Sequence, residues 1–208
     1  QPKLVFSADA GSRNGKAIAY KPLLDEAIRI AAHKPQQVLL VDRHLVPMQL
    51  TPGRDVDYAT LREQHLDAQV PVTWLESNEP SYVLYTSGTT GKPKGVQRDV
   101  GGYAVALASS MQYNFCGKPG ETFFATSDIG WVVGHSYIVY GPLIAGMATI
   151  LYEGLPICPD AGIWWSIVEK YKVTRMFSAP TAIRVLRKHP VELMRKYDLS
   201  SLKALYLA

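Results

Sequence analysis

A stretch of eleven residues, 85–95, combines three glycines, four serine or threonine hydroxyls and two lysines. Glycines let backbone N–H groups come close to anionic oxygens, hydroxyls donate hydrogen bonds, and lysines supply positive charge. This combination is typical of a loop that wraps phosphates, and a plain surface turn rarely needs all three residue types together. The predicted phosphate-binding residues are Thr86, Ser87, Gly88, Thr89, Thr90, Gly91, Lys92 and Lys94.

The spacing in this loop differs from the phosphate loop of P-loop kinases and ATPases, G-x-x-x-x-G-K-[ST]. No glycine stands at the required distance before Gly91, and Pro93 takes the place of the serine or threonine after Lys92. Proline also disfavours a helical conformation of the residue before it, so a helix is not expected to start at Lys92. The sequence therefore predicts a hairpin-like loop between two strands.

Composition and charge narrow the class of protein. The 208 residues are 47% hydrophobic, which is enough for a sizeable core. The net charge of +4 comes without a block of like charges, so nothing indicates nucleic-acid or membrane-surface binding. A mild positive charge suits anionic ligands, although it could equally serve solubility. No apolar run reaches the ~18–20 residues of a membrane span, and the N-terminus has no signal-peptide pattern.

The number and spacing of the cysteines indicate the cellular compartment of the protein. Cys116 and Cys158 form no C-x-x-C unit, which argues against a disulfide scaffold or a zinc site and fits a reducing cytoplasm. Both are expected to be buried as small hydrophobic residues. No set of metal ligands is predicted anywhere in the chain. The first and last residues both fall within strand-like patterns, so the chain is expected to be a piece of a longer protein.

Apolar periodicity predicts strands that alternate with helices, which indicates an α/β fold with a mostly parallel sheet and flanking helices. The predicted strands cover residues 4–7, 38–41, 122–126, 148–152, 175–178 and 202–208. The predicted helices cover residues 22–32, 58–64, 101–113, 135–145, 163–170 and 181–188, and Pro142 is expected to bend or end the fourth. Residues 8–16 are expected to form a turn-rich loop.

Ligands of such sheets bind at the carboxyl ends of the strands. The glycine-rich loop, the turn at 128–131 and the turn at 178–181 each follow a predicted strand. The sequence therefore predicts that the three segments meet at equivalent strand ends and form one site.

Three segments resemble a known family. Residues 86–95, TSGTTGKPKG, resemble the AMP-binding signature of the adenylate-forming enzymes. Residues 128–137 and 140–143 are similar to the short-chain acyl-CoA synthetases, and Gly101-Gly102-Tyr103-Ala104-Val105 resembles the propionyl-CoA more than the acetyl-CoA synthetases. The resemblance covers essentially the whole chain. It implies that residues 1–208 belong to the large N-terminal AMP-binding domain, without that domain's C-terminal part and the small lid domain.

The resemblance implies a reaction in two steps. A short carboxylate, propionate by this likeness, attacks the α-phosphorus of Mg·ATP to give an acyl-adenylate and pyrophosphate, and the thiol of coenzyme A then displaces AMP. ATP, Mg²⁺ and coenzyme A are thus the implied cofactors or substrates, in a cytoplasmic enzyme. The adenine-binding, metal-binding and catalytic lysine motifs of the family would follow residue 208. No catalytic or metal-binding residue is therefore assigned here, and the 208 residues alone are expected to be inactive.

By the same resemblance, Trp131, Val132 and Val133 line the acyl pocket, and Arg13, Lys16 and Val133 contact coenzyme A. Acetyl-type enzymes carry threonine in place of Val133, so the apolar side chain favours an acid larger than acetate. Acetyl-type enzymes also carry a polar residue near coenzyme A where this chain has Ile157, so that contact is expected to be missing.

Several alternatives stay open on the sequence. Arg13 and Lys16 could belong to an ordinary solvated loop, Val132 could be a core residue, and His135 could either touch substrate or lie satisfied at a helix start. For the whole molecule the alternatives are an acetyl-CoA synthetase with the same mechanism and an inactive nucleotide-binding module. Small molecules are the expected partners, and the oligomeric state is not predicted.

Overall fold

The computed structural model describes residues 1–13, 15–87 and 91–208, and the chain divides into two compact units, Gln1–Val72 and Thr73–Ala208. Each unit combines a parallel sheet with helices and a separate antiparallel hairpin. The predicted α/β class with parallel sheets and flanking helices is confirmed, and the parallel strands are divided between two sheets.

In the first unit, a three-stranded parallel sheet has the order β1-β4-β5 and a two-stranded antiparallel hairpin is formed by β2 and β3. Its strands are β1 (Leu4–Ala8), β2 (Ala10–Arg13), β3 (Lys16–Ala19), β4 (Gln37–Val41) and β5 (Asp55–Asp57). Its helices are α1 (Lys21–Ile30) and α2 (Tyr58–Glu63). The middle strand β4 is an apolar run, and its Val38 and Leu40 pack against Ile28 of α1.

The hairpin β2–β3 corrects the prediction of an irregular loop at residues 8–16. Gly15 adopts a positive φ of 74°, which allows the tight turn between the two strands. The Tyr20 ring lies directly over Gly11, where a Cβ would be 2.0 Å from the Tyr20 hydroxyl oxygen. A residue with a side chain at position 11 would have to push this exposed tyrosine ring aside.

Asp9 lies between β1 and β2 with no solvent exposure. Its carboxylate accepts hydrogen bonds from the backbone N–H groups of Arg43 (3.1 Å), Leu45 (2.8 Å) and Val46 (3.1 Å). Burial alone would raise the pKa of this carboxyl, but the backbone donors outweigh burial and lower its pKa to about 2. The ionised side chain therefore anchors the chain that leaves β4.

Replacing Asp9 by asparagine is expected to lower the free energy of unfolding by about 3 kcal/mol near neutral pH, because an amide cannot accept all three buried N–H groups. A lowered folded-state pKa means that the ionised carboxyl stabilises the fold fully above its ordinary pKa of 3.8 and loses this contribution as pH falls toward 2. Urea midpoints of the wild type and Asp9→Asn should therefore converge only below about pH 4. The exposed Asp67→Asn is the control, and an equally small effect of both variants would contradict the anchoring role.

In the second unit, a four-stranded parallel sheet has the order β11-β10-β8-β9, and β6 and β7 form a separate antiparallel hairpin. Its strands are β6 (Pro80–Thr86), β7 (Lys94–Asp99), β8 (Thr122–Ala125), β9 (Ala148–Thr149), β10 (Arg175–Ser178) and β11 (Ala204–Leu207). Its helices are α3 (Gly101–Ser109), α4 (Val132–Gly134), α5 (Gly141–Ile144), α6 (Ile163–Tyr171), α7 (Pro180–Leu186) and α8 (Glu192–Arg195).

Alternate residues of β8 take part in two different hydrophobic clusters, as expected when both faces of a strand are covered. Phe124 and Met176 pack with the apolar side of α6, including Trp164 and Val168. The second cluster consists of Met111, Phe115, Phe123, Ala125, Ile138, Met147 and Phe177. The unit is therefore built in three layers, with helices on both faces of the parallel sheet.

Two helical runs contain π-helical segments. One follows α3 at Ser110–Asn114, and the other, His135–Tyr140, joins α4 to α5. The sequence predicted that Pro142 would bend or end the second run. The run does not end there but continues to Ile144, and a bend at Pro142 stays a prediction. Pro142 has no N–H to donate to the carbonyl of Ile138, four residues earlier. The Thr149 hydroxyl donates to this carbonyl at 2.6 Å, so the buried acceptor keeps a partner.

Both cysteines are exposed free thiols, so the prediction that they are buried is wrong. Cys116 is the second residue after the π-helical segment that ends at Asn114, and it adopts a left-handed conformation with φ of 51°. Across the described ranges of the chain, none of the helices is both long enough and apolar enough to span a bilayer.

Candidate functional site

The glycine-rich loop connects β6 to β7, with Thr86 opposite Lys94 at the mouth of the hairpin. The predicted hairpin is thereby confirmed. Ser87 and Lys92 are exposed, as is Lys94, and Gly91 adopts a positive φ of 79° that favours glycine. The predicted ligands Gly88, Thr89 and Thr90 lie outside the described residues. Among the described residues, the hairpin thus presents two cations, Lys92 and Lys94, and two hydroxyls, those of Thr86 and Ser87, at one end.

The other two predicted segments follow neighbouring parallel strands. The backbone N–H of Thr126 donates to the carbonyl of Phe177 at 2.9 Å, and the Thr126 hydroxyl donates to that of Ser178 at 2.8 Å. The carboxyl ends of β8 and β10 therefore lie side by side, as predicted. The placement of the glycine-rich loop at an equivalent end of the same sheet is wrong, because β6 pairs with β7 in a hairpin of its own.

The turn after β8 is held by Asp128. Its carboxylate accepts a hydrogen bond from the backbone N–H of Gly130 at 2.7 Å, and its carbonyl accepts from the N–H of Trp131 at 3.1 Å. Trp131 precedes α4 and its side chain is 58% exposed. This large apolar side chain lies beside a turn with a defined backbone and outside both hydrophobic clusters of the unit.

The two valines after Trp131 differ in their surroundings. Both Val132 and Val133 are half-buried, and Val133 packs against the cluster that contains Phe123 and Phe177. Val133 therefore has a packing role in the second unit. Whether either valine also contacts an acyl group stays a prediction.

Arg13 and Lys16 are paired across the hairpin β2–β3 in the first unit, and both are exposed. The pairing places two cations on either side of one tight turn, of which Asn14 lies outside the described residues. Such a pair can contact a phosphate group with little desolvation. Ile157, the predicted departure from the acetyl-type pattern, is 37% exposed.

A chain of hydroxyl groups that starts on strand β6 of the hairpin was not predicted from the sequence. Tyr82 of β6 donates to the hydroxyl of Tyr103 in α3 at 3.1 Å, and the Tyr103 hydroxyl is 2.8 Å from that of the buried Ser136. Burial and the contact with Tyr103 raise the pKa of Tyr82 to about 12, so its phenol stays protonated at neutral pH. Tyr82 also stacks on Tyr140 and contacts the His135 ring edge-on. His135 is thus a ring partner in this cluster.

Two clefts in the second unit, of about 420 and 520 Å³, lie away from these segments. The smaller is lined by residues of β9, the segment at 150–152 and α6, and the larger mainly by residues of α3, α5 and the segment at 116–119. No predicted site residue lines either of them.

Within the described residues, no three His, Cys, Asp or Glu side chains come close enough to hold a metal ion.

Comparisons with known proteins agree over the whole chain. The model of the family described as AMP-binding enzyme matches residues 1–208. The chain is 70% identical over its full length to the propionate–CoA ligases of Escherichia coli and Salmonella typhimurium, of which it covers 33%. It is 43% identical over 206 residues to the acetyl-coenzyme A synthetase of Wolinella succinogenes, covering 99% of this chain and 31% of that protein. The chain thus spans about a third of the length of the curated relatives it matches.

Proposed function

The chain belongs to the AMP-binding enzyme family, and from this premise we propose that it is part of an enzyme that joins propionate to coenzyme A at the expense of ATP. Propionate attacks the α-phosphorus to form propionyl-adenylate with release of pyrophosphate, and the thiol of coenzyme A then displaces AMP. The observation that carries this proposal is the 70% identity to two propionate–CoA ligases, against 43% to an acetyl-coenzyme A synthetase.

The glycine-rich loop would hold the β- and γ-phosphates of ATP. Adenylation brings two anions together, so cations and N–H groups must lie where negative charge accumulates. The exposed Lys92 and Lys94 can follow the phosphates as point charges, and Thr86 and Ser87 can donate hydroxyl hydrogen bonds. The same role is proposed for Gly88, Thr89, Thr90 and Gly91 on the sequence alone.

The acid would lie beside the turn that follows β8. Trp131 would limit the length of the acyl chain, with Val132 and Val133 as apolar neighbours. The exposed pair Arg13 and Lys16 would bind a phosphate at the nucleotide end of coenzyme A, and Val133 would contact the pantetheine arm. Val133 is half-buried against the core, which supports its role as a rigid apolar wall of the acyl pocket. Its contact with coenzyme A is proposed on the resemblance alone.

Mg²⁺ would enter as a complex with ATP. The hydroxyls of Thr86 and Ser87 are oxygen donors that could approach a metal held on the phosphates, but no described cluster of carboxylates supplies a resident metal site. No catalytic residue is proposed within residues 1–208, which we assign to the N-terminal AMP-binding domain of a cytoplasmic enzyme with small-molecule partners.

Acid-dependent ATP–pyrophosphate exchange by the complete protein tests this function. With propionate, acetate and butyrate compared, kcat/KM is expected to be at least about tenfold higher for propionate than for acetate, because each buried methylene contributes roughly 1–3 kcal/mol. A reaction without acid is the control. A preference for acetate would agree with the proposed mechanism and refute propionate as the substrate. Absence of exchange with every acid would favour a nucleotide-binding module without activity.

A further inference from the structure

Gly101, Gly102 and Tyr103 lie where the hairpin β6–β7 meets α3. A Cβ on Gly101 would be 2.5 Å from the Cβ of Ser77, and a Cβ on Gly102 would be 2.7 Å from the Asp99 carboxylate. The start of α3 therefore lies against the chain on both sides of the hairpin, and at Gly101 the Ser77 backbone leaves no room for a side chain. The two glycines bring Tyr103 into contact with the end of β7.

Tyr103 contacts the hairpin through both its backbone and its side chain. Its backbone N–H donates to the Asp99 carboxylate at 2.9 Å, and the Arg98 guanidinium lies over its ring at 5.4 Å from the centroid. Its hydroxyl accepts from Tyr82, on the other strand of the hairpin. One half-buried side chain thus contacts both strands that carry the glycine-rich loop.

The same hydroxyl reaches the helical run that follows Trp131. Because the Tyr103 hydroxyl accepts a hydrogen bond from Tyr82, it can donate one to Ser136, which is buried and lies one helical turn after Val132. The Tyr103 ring also contacts Tyr140 edge-on at 5.9 Å. Tyr103 therefore joins the hairpin to this run through hydrogen bonds, beside the direct ring contacts that Tyr82 makes with His135 and Tyr140.

We infer that Tyr103 is a positioning residue that sets the place of the phosphate-binding hairpin relative to the segment proposed to bind the acid. This inference rests on the proposed function, because adenylation requires the carboxylate to lie in line with the α-phosphorus. Errors of about 1 Å in such an alignment can lower rates by roughly 100-fold, whereas binding of each substrate separately depends on it much less. Tyr103 then acts on the rate and touches no substrate.

The test compares Tyr103→Phe with Tyr113→Phe in the complete protein. Tyr113 lies in the π-helical continuation of α3 and is 70% exposed. This control therefore removes the same hydroxyl group from an exposed tyrosine outside the hydroxyl chain. Tyr103→Phe is expected to lower kcat of pyrophosphate exchange about tenfold and to change KM for ATP and propionate less than about twofold, since the lost alignment acts in the transition state. Tyr82→Phe, which breaks the same chain, should cost a similar factor, and the double variant should cost little more.

Hydrogen–deuterium exchange gives a second measurement that needs no activity. Amides of β6 around Tyr82 are expected to exchange faster in Tyr103→Phe than in the wild type or in Tyr113→Phe, because the variant loses the hydrogen bond from Tyr82 and keeps the contacts to β7. An unchanged kcat would overturn the inference, and so would a fall in kcat matched by a fall in the urea midpoint, which would indicate a merely structural role. A wild type without pyrophosphate exchange would instead refute the proposed function, and unchanged amide exchange of β6 in Tyr103→Phe would then refute the inference independently.

Discussion

Replacing Gly134 by alanine is expected to lower kcat/KM of adenylation at least about 100-fold and to lower the free energy of unfolding by about 3 kcal/mol. A Cβ at this position would be 2.2 Å from the carbonyl oxygen of Asp128 and 2.6 Å from the Cα of Ile129. Both are backbone atoms of the turn that places Trp131, so neither can rotate aside as a side chain could. Overpacking of this kind typically costs ~1–3 kcal/mol, and here it also shifts the turn itself.

Gly130→Ala is the matched control because it adds the same methyl group to the same turn. Its Cβ would meet only one Asp128 carboxylate oxygen, at 3.2 Å, and a side chain can yield by a few tenths of an ångström. Pyrophosphate exchange and urea midpoints of the complete protein should show a loss of kcat/KM of at least about 100-fold for Gly134→Ala and only a few-fold for Gly130→Ala. Similar values for the two variants would show that the turn does not position the site.

The sequence predicted those helices and strands that depend on residues close together in the chain. The apolar run of β4 and the helical spacing of α1 and α6 appear where expected, within one or two residues. The antiparallel pairing of β6 with β7 is also local in origin, because the short connection between them cannot hold the crossover that parallel strands need. The error lay in applying the strand-end rule of parallel sheets to a strand that ends in a hairpin.

Contacts between distant parts of the chain could not be predicted. Asp9 can be buried because three backbone N–H groups more than thirty residues away donate to its carboxylate. The sequence around position 9 contains no pattern that predicts these contacts. Tyr82, Tyr103 and Ser136 likewise meet only after the hairpin, α3 and the second helical run have packed together. The burial of the two cysteines was predicted from the average tendency of cysteine to be buried, whereas the exposure of each one depends on its place in the folded chain.

Trp131→Gly is expected to convert the proposed short-acid site into one that accepts longer acids. If the indole limits chain length by its volume, its removal should lower kcat/KM for propionate by about tenfold or more, since apolar contacts to the acid are lost, and raise it for six-carbon acids by at least as much. The indole is 58% exposed and belongs to neither hydrophobic cluster, so the urea midpoint should change little. Pyrophosphate exchange with a series of acids measures the shift.

Trp74→Gly is the control, because Trp74 is 90% exposed and the substitution removes the same side chain from a position outside the proposed site. Its chain-length profile should match the wild type. An unchanged profile for Trp131→Gly would mean that the indole does not face the acid, and the pocket would have to be sought elsewhere along the turn. A lowered urea midpoint with an unchanged profile would instead show that Trp131 supports the fold. Only a reversed preference at unchanged stability assigns the limit on chain length to this side chain.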